Sequence, residues 1–320
     1  MQIVCSTLAF RKYGLTEALE RVRALGFNTV ELCANSHHSD PERWNTGRDG
    51  LMAWVDRLGL KVSSVHVPLE AERAIFAKDR DQEELKRSFR AVETAVLLQG
   101  GFIVQHLELL ADHFAQDEQS PLRSTVPNLS KVLRRAQEKK VKVAVENVPS
   151  DSFPMFGRSV EEIGHLLQWI PREAGGLCLD LTHCLACGLD PMEILERIDP
   201  SRLISIHASD NISAPWADRH LPLGEGTIPW KRLFEHLKSV GFEGPIVIEV
   251  FDEKALMDSL QHLASLHVLG LAGLPPRRAS PSMSLLEKEV KEGLSRRFFE
   301  IQSAFLTRRT RKNTSKGECS

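Results

Sequence analysis

Short, almost unbroken apolar runs alternate along this chain with longer segments whose apolar residues return at every third or fourth position. The runs at 3–7, 28–32, 61–67, 102–106, 141–147, 177–180, 203–207 and 245–250 have the length of strands buried on both faces. The longer segments predict helices. Leu15, Ala18, Leu19, Val22 and Leu25 fall on one helical face that Gly26 closes. Further helices are expected through 54–58, 81–98, 126–140, 163–169, 191–198, 230–240 and 253–269. Eight strand–helix pairs within residues 1–272 predict an α/β chain folded as a (β/α)8 TIM barrel, a fold of roughly 250 residues. A doubly wound open sheet would carry a glycine-rich phosphate loop after its first strand, and none follows here.

After Leu274-Pro275-Pro276 the rhythm changes. Residues 282–306 predict one amphipathic helix bearing Leu285, Leu286, Val290, Leu294, Phe298, Ile301 and Phe305, and Arg308-Arg309-Thr310-Arg311-Lys312 opens a disordered basic tail. Residues 273–320 are therefore expected as a C-terminal helical extension, packed on the barrel or on a second subunit in a homodimer.

Composition narrows the partners. With 320 residues, 42% of them hydrophobic, the chain can bury a large core, and its net charge of -2 provides no global attraction for nucleic acid. No run reaches membrane-spanning length, and the first residues read as a strand rather than a leader, so a cytoplasmic protein is expected. Cys5, Cys33, Cys178, Cys184, Cys187 and Cys319 are too scattered for a disulfide framework; the Cys184–Cys187 spacing reads as helix-start packing.

The chemistry sits where strands end. His66, His106, Glu146, Asp180, His207 and Glu249 terminate or follow six of the predicted strands, and His183 lies three positions past Asp180 in the expected exit loop. In a closed barrel of parallel strands these exits share one mouth, so carboxylates and imidazoles would converge there on a metal. Glu31, at the end of the second strand, reads either as a substrate hydroxyl partner or as a rim residue. Trp44, Trp216 and Trp230 read as core, or as flat walls for a sugar ring. Arg158 and Arg219 read as phosphate binders or as surface pairs.

Val145-Glu146-Asn147, Leu179-Asp180-Leu181-Thr182-His183, His207-Ala208-Ser209-Asp210 and Asp218-Arg219-His220 with Leu223-Gly224-Glu225-Gly226 resemble the xylose-isomerase-like TIM-barrel superfamily over roughly residues 1–270. That superfamily joins sugar and sugar phosphate isomerases and epimerases to apurinic-site nucleases of the endonuclease IV type. The resemblance to the sugar branch implies that Glu146, Asp180, His207 and Glu249 hold one divalent ion, Mn, Mg, Co or Zn. It further implies that Glu146 and Glu249 transfer a proton through a metal-stabilised enediolate, with His183 and Arg219 as substrate residues. The resemblance to the nuclease branch implies instead that His66, His106, His183, Asp218 and His220 join the four ligands to hold three zinc ions against a phosphodiester. Acidic residues after His66 (Glu70, Glu72) and after His106 (Glu108, Asp112) oppose a DNA backbone and favour a small-molecule sugar. A non-catalytic barrel that binds metal or sugar is the third expectation; it would lack the Glu146–Glu249 pair, and both are present.

Overall fold

The computed structural model describes residues 1–34, 36–44, 47–69, 80–107, 120–149, 157–212 and 218–267. The expected C-terminal helix and tail, Trp216 and the acidic residues that follow His66 and His106 lie outside those segments.

Eight parallel strands close on themselves in sequence order. They are β1 (Gln2–Ser6), β2 (Thr29–Leu32), β3 (Lys61–His66), β4 (Phe102–His106), β5 (Lys142–Glu146), β6 (Gly175–Asp180), β7 (Leu203–Ala208) and β8 (Pro245–Ile248). The helices are α1 (Leu15–Ala24), α2 (Ser36–Ser39), α3 (Gly47–Leu58), α4 (Arg80–Leu97), α5 (Ser120–Glu138), α6 (Val160–Trp169), α7 (Leu181–Ala186), α8 (Pro191–Arg197), α9 (Trp230–Ser239) and α10 (Glu253–Ser265). None of the described helices is long and apolar enough to cross a membrane.

Strand alternation divides the core in two. Ile103, Val143, Val145, Leu177, Leu179, Ile206, Ile246 and Ile248 point outward and pack with helix residues such as Leu19, Ala95, Leu133, Ile163 and Leu233. Each such side chain, once buried, contributes about 1.5–3 kcal/mol of transfer free energy. The alternate positions point inward, where Phe102, Val104, Ala144 and Cys178 form a small separate cluster. Two residues further along the same strands stand His106, Glu146 and Asp180. On these strands a period of two thus carries the inward positions up to the carboxyl ends, the end at which this fold gathers its loops.

Two glycines have specific tasks. A Cβ at Gly176 would lie 2.2 Å from the Arg202 carbonyl oxygen, so β6 and the segment entering β7 approach closely only because that side chain is absent. Gly59, past the end of α3, takes a φ of +62° that a side chain would resist.

The exit loop expected around His183 is already helix, which begins earlier than the Cys184–Cys187 spacing implies. The segment after β6 forms α7, with Asp180 as its N-cap: the Asp180 Oδ1 accepts from the His183 backbone N–H at 2.7 Å. All six residues of α7 are buried, so no amphipathic period marks it in the sequence.

Candidate metal centre

Register brings the strand ends level. His106 pairs with Glu146 across β4 and β5, and Asp180 pairs with His207 across β6 and β7. Glu249 follows β8, its N–H donating to the Ala208 carbonyl at 3.0 Å. Ligand atoms of Glu146, Asp180, His207 and Glu249 all lie within 4.8 Å of one another, and all four residues are buried. The His207 Nδ1 stands 2.7 Å from Glu249 Oε2, 3.1 Å from Glu146 Oε1 and 4.0 Å from Asp180 Oδ2.

Two further groups flank this one. His66 and His106 each place Nε2 2.9 Å from the same Glu146 Oε2. On the other side, Asp180, His183 and His220 bring ligand atoms within 4.8 Å of one another. Asp218 lies between the two rings, 3.7 Å from His183 Nε2 and 3.0 Å from His220 Nε2.

Backbone carbonyls fix the ring tautomers. The Nδ1–H groups of His66, His183 and His220 donate to the carbonyls of Val67, Asn147 and Glu249 at 3.0, 2.7 and 2.8 Å. Each neutral ring then presents an Nε2 lone pair to the mouth, and for His66 that lone pair faces a carboxylate oxygen. A lone pair and a carboxylate at 2.9 Å need a proton or a cation between them. Asp180 Oδ2, fully buried, has no hydrogen-bond partner. The donor set of oxygens and imidazoles fits a hard-to-borderline divalent cation.

The charges have been displaced in a consistent pattern. Burial works to raise the Glu146 carboxyl, but His207 and His106 outweigh it and hold it well below the usual carboxylate range. Burial likewise opposes ionisation of Glu249, yet His207 brings it to about 2. Asp180 goes the other way, to about 6, because burial there exceeds the pull of His183 and His220. Burial pushes the Cys178 thiol up to about 12, so the sulfur beneath the cluster is a neutral group.

Glu31 is fully buried inside the barrel. Its Oε2 accepts from the Ser64 Oγ at 2.6 Å, and its Oε1 lies 3.2 Å from His207 Nε2. Neither of these two atoms has a hydrogen-bond partner among the described residues, so Glu31 acts on the His207 ring through its charge rather than by a hydrogen bond. Arg219 is exposed at the rim, and Arg158 sits 3.8 Å from Glu162. Trp230 Nε1 donates to Asp210, while Trp44 Nε1 donates to the His38 carbonyl, and both rings are buried.

Several supporting residues carry no role in the sequence reading. Asn147 donates from Nδ2 to the Asp180 carbonyl at 3.0 Å and accepts the Asp180 N–H at 2.8 Å, fixing the end of β6 against β5. Asp210 accepts from the N–H groups of Asn211, Gly224 and Ile228 and from Trp230, which ties down the segment leading from His220 to α9. Ser209 Oγ lies 2.9 Å from His220 Nδ1. The signal for all three is position: each follows a ligand candidate by one to three residues at a strand exit.

Known proteins resemble this chain. A protein of Methanocaldococcus jannaschii designated MJ1311 is 26% identical over 253 residues, 78% of this chain and 83% of that one. The L-ribulose-5-phosphate 3-epimerase UlaE of Escherichia coli K12 is 23% identical over 245 residues, 75% of this chain and 83% of its own. The crystal structure of a D-tagatose 3-epimerase-like protein superposes with a TM-score of 0.71 at 24% identity, covering 85% of this chain and 98% of that one, and shows the shared fold. The family pattern described as xylose isomerase-like TIM barrel matches residues 19–266, and the chain belongs to that family.

Proposed function

We propose that the protein is a divalent-metal-dependent isomerase or epimerase of a sugar or sugar phosphate. The observation that carries this reading is the pair Glu146 and Glu249, both within 3.1 Å of His207 Nδ1 in a buried mouth that also holds Asp180. Glu146, Asp180, His207 and Glu249 would hold the ion, whose Lewis acidity polarises a carbonyl and acidifies the neighbouring C–H. Glu146 and Glu249 are both ionised at neutral pH, the form in which either can remove the carbon-bound proton; the other delivers a proton to the opposite face only after taking one up from solvent. Burial of both carboxylates keeps water away from the carbanion-like intermediate. His183 and Arg219 are assigned to substrate hydroxyls. The match to an L-ribulose-5-phosphate 3-epimerase supports the same class of reaction.

The test is solvent exchange. Ketopentoses, ketohexoses and their phosphates incubated with the metal-loaded protein in D2O should gain deuterium at the carbon next to the carbonyl and yield an epimer or isomer. Absence of exchange across that panel, with metal bound, overturns the reading.

A second reading has its own support. The groups His66–His106–Glu146 and Asp180–His183–His220, together with Asp218, resemble a site for three zinc ions acting on a phosphodiester at an apurinic site. Elemental analysis separates the two: one ion per chain supports the sugar reaction, three zincs with nicking of an abasic duplex support the phosphodiesterase.

A further inference from the structure

Between the loops that follow β1 and β2, at the carboxyl ends of the strands, lies a cavity of about 320 Å³. Arg11, Lys12, His37 and Arg43 line it, along with Gly14 and Trp44, and no carboxylate does. The metal centre differs in carrying the carboxylates of Glu146, Asp180 and Glu249 among its imidazoles. Lys12 has no ion-pair or hydrogen-bond partner among the described residues. The acid nearest Arg43 is Asp40, whose Oδ2 is 4.0 Å from Nε, beyond hydrogen-bond reach. Gly14 caps α1 without a side chain, so the first-turn amides of that ten-residue helix face the cavity and add their dipole to the cationic lining.

One aromatic ring separates a cavity residue from the centre. The Arg11 guanidinium stacks on the Phe251 ring at 4.7 Å, and that ring lies 4.8 Å from the His220 ring. Laid end to end, these two spacings are the greatest separation that they allow between a cavity cation and an imidazole of the centre. A short sugar chain with its reacting carbon at the ion and a terminal phosphate bridges such a gap.

We propose that this cavity binds the phosphate of a phosphorylated sugar, so that the substrate is a sugar phosphate rather than a free sugar. The inference rests on the isomerase or epimerase reading and deepens it. Arg11 and Arg43 offer forked donors to the phosphate oxygens, Lys12 a point charge, and Phe251 holds Arg11 in place from the side of the centre.

The experiment compares the metal-loaded wild type with Lys12→Ala, Arg43→Ala and the double variant. One arm titrates inorganic phosphate by calorimetry; the other measures kcat/KM for a ketopentose phosphate and for the same ketopentose without phosphate. Each single change should weaken phosphate binding and lower the ratio of the two kcat/KM values roughly 10- to 100-fold, through KM. Circular dichroism and unchanged metal content identify variants that remain folded, and Arg43→Lys should recover part of the loss. A ratio near one in the wild type, or a ratio that no variant moves, overturns the phosphate cavity while leaving the epimerase reading standing. Phosphate binding that depends on Lys12 and Arg43, without turnover of any sugar, overturns that reading and with it the sugar phosphate. Salt-dependent binding of an abasic DNA duplex that the same variants abolish would likewise overturn the proposal in favour of a polymeric phosphate ligand.

Discussion

The inside of this barrel has two layers built on the same strands with opposite chemistry. The lower one, Phe102, Val104, Ala144 and Cys178, is an ordinary apolar packing. The upper one, two residues further along, stacks Glu31, His66, His106, Glu146, Asp180, His207 and Glu249, nearly all of them fully buried. Burial stabilises the first layer and penalises the second, since charges withdrawn from water cost several kcal/mol each unless they are matched. In the metal-free protein the raised imidazoles supply matching positive charge, and a bound cation would take over that part. The lower layer is thus built for stability, the upper for binding.

The largest effect expected from breaking that division is at Glu146 or Glu249. Glu146→Gln or Glu249→Gln should lower turnover by about 10²–10⁴-fold and deplete bound metal, and the metal-free protein should melt below the wild type at neutral pH, because the buried imidazoles that hold these carboxyls low lose a partner. Undiminished metal content in the purified Glu146→Gln protein would refute its place as a ligand. Glu31→Gln comes next. It should weaken metal binding roughly 10- to 100-fold, as measured by competition with a chelator, because His207 loses the carboxylate that stands 3.2 Å behind its ring.

Val104→Ala addresses the other layer. It should cost about 1–2 kcal/mol in urea unfolding and leave metal stoichiometry unchanged. A loss of metal there would mean that the two layers are not independent. The smallest effect is in pH dependence. In the metal-free protein burial opposes the imidazolium form, but Asp180 and Asp218 outweigh it and raise His183 to about 10 and His220 to about 9. Against an unfolded value of about 6.5, the stabilisation from both rings is complete below that pH and is lost as pH climbs through 9 and 10. The melting temperature of chelator-treated protein should therefore decline between about pH 7 and 10 more steeply than that of Asp218→Asn; parallel curves would sink the assignment.

The strand ends were legible because period two is a rigid rule: once a strand's apolar run is placed, the parity of Glu146, Asp180 and His207 follows. The fold followed from the count of strand–helix pairs for the same reason. What escaped was whatever depends on contacts across the chain. The Cys184–Cys187 spacing reads as a helix start, but nothing in Leu181-Thr182-His183 shows that the helix begins directly at the end of the strand. Glu31 reads from the sequence as either a substrate partner or a rim residue because its strand is short, and only the closed cylinder turns it toward His207. Asn147 and Asp210 stood in motifs without a task until their partners, 33 and up to 20 residues away, came into reach.

Three imidazoles in the mouth are tethered by main-chain carbonyls through the nitrogen that faces away from it. Such rings cannot swing without unravelling a strand exit, so an arriving ion finds its donors already aimed. Loading then costs the shedding of the ion's own hydration shell and little rearrangement of the polypeptide, and the empty and filled barrels should be nearly superposable.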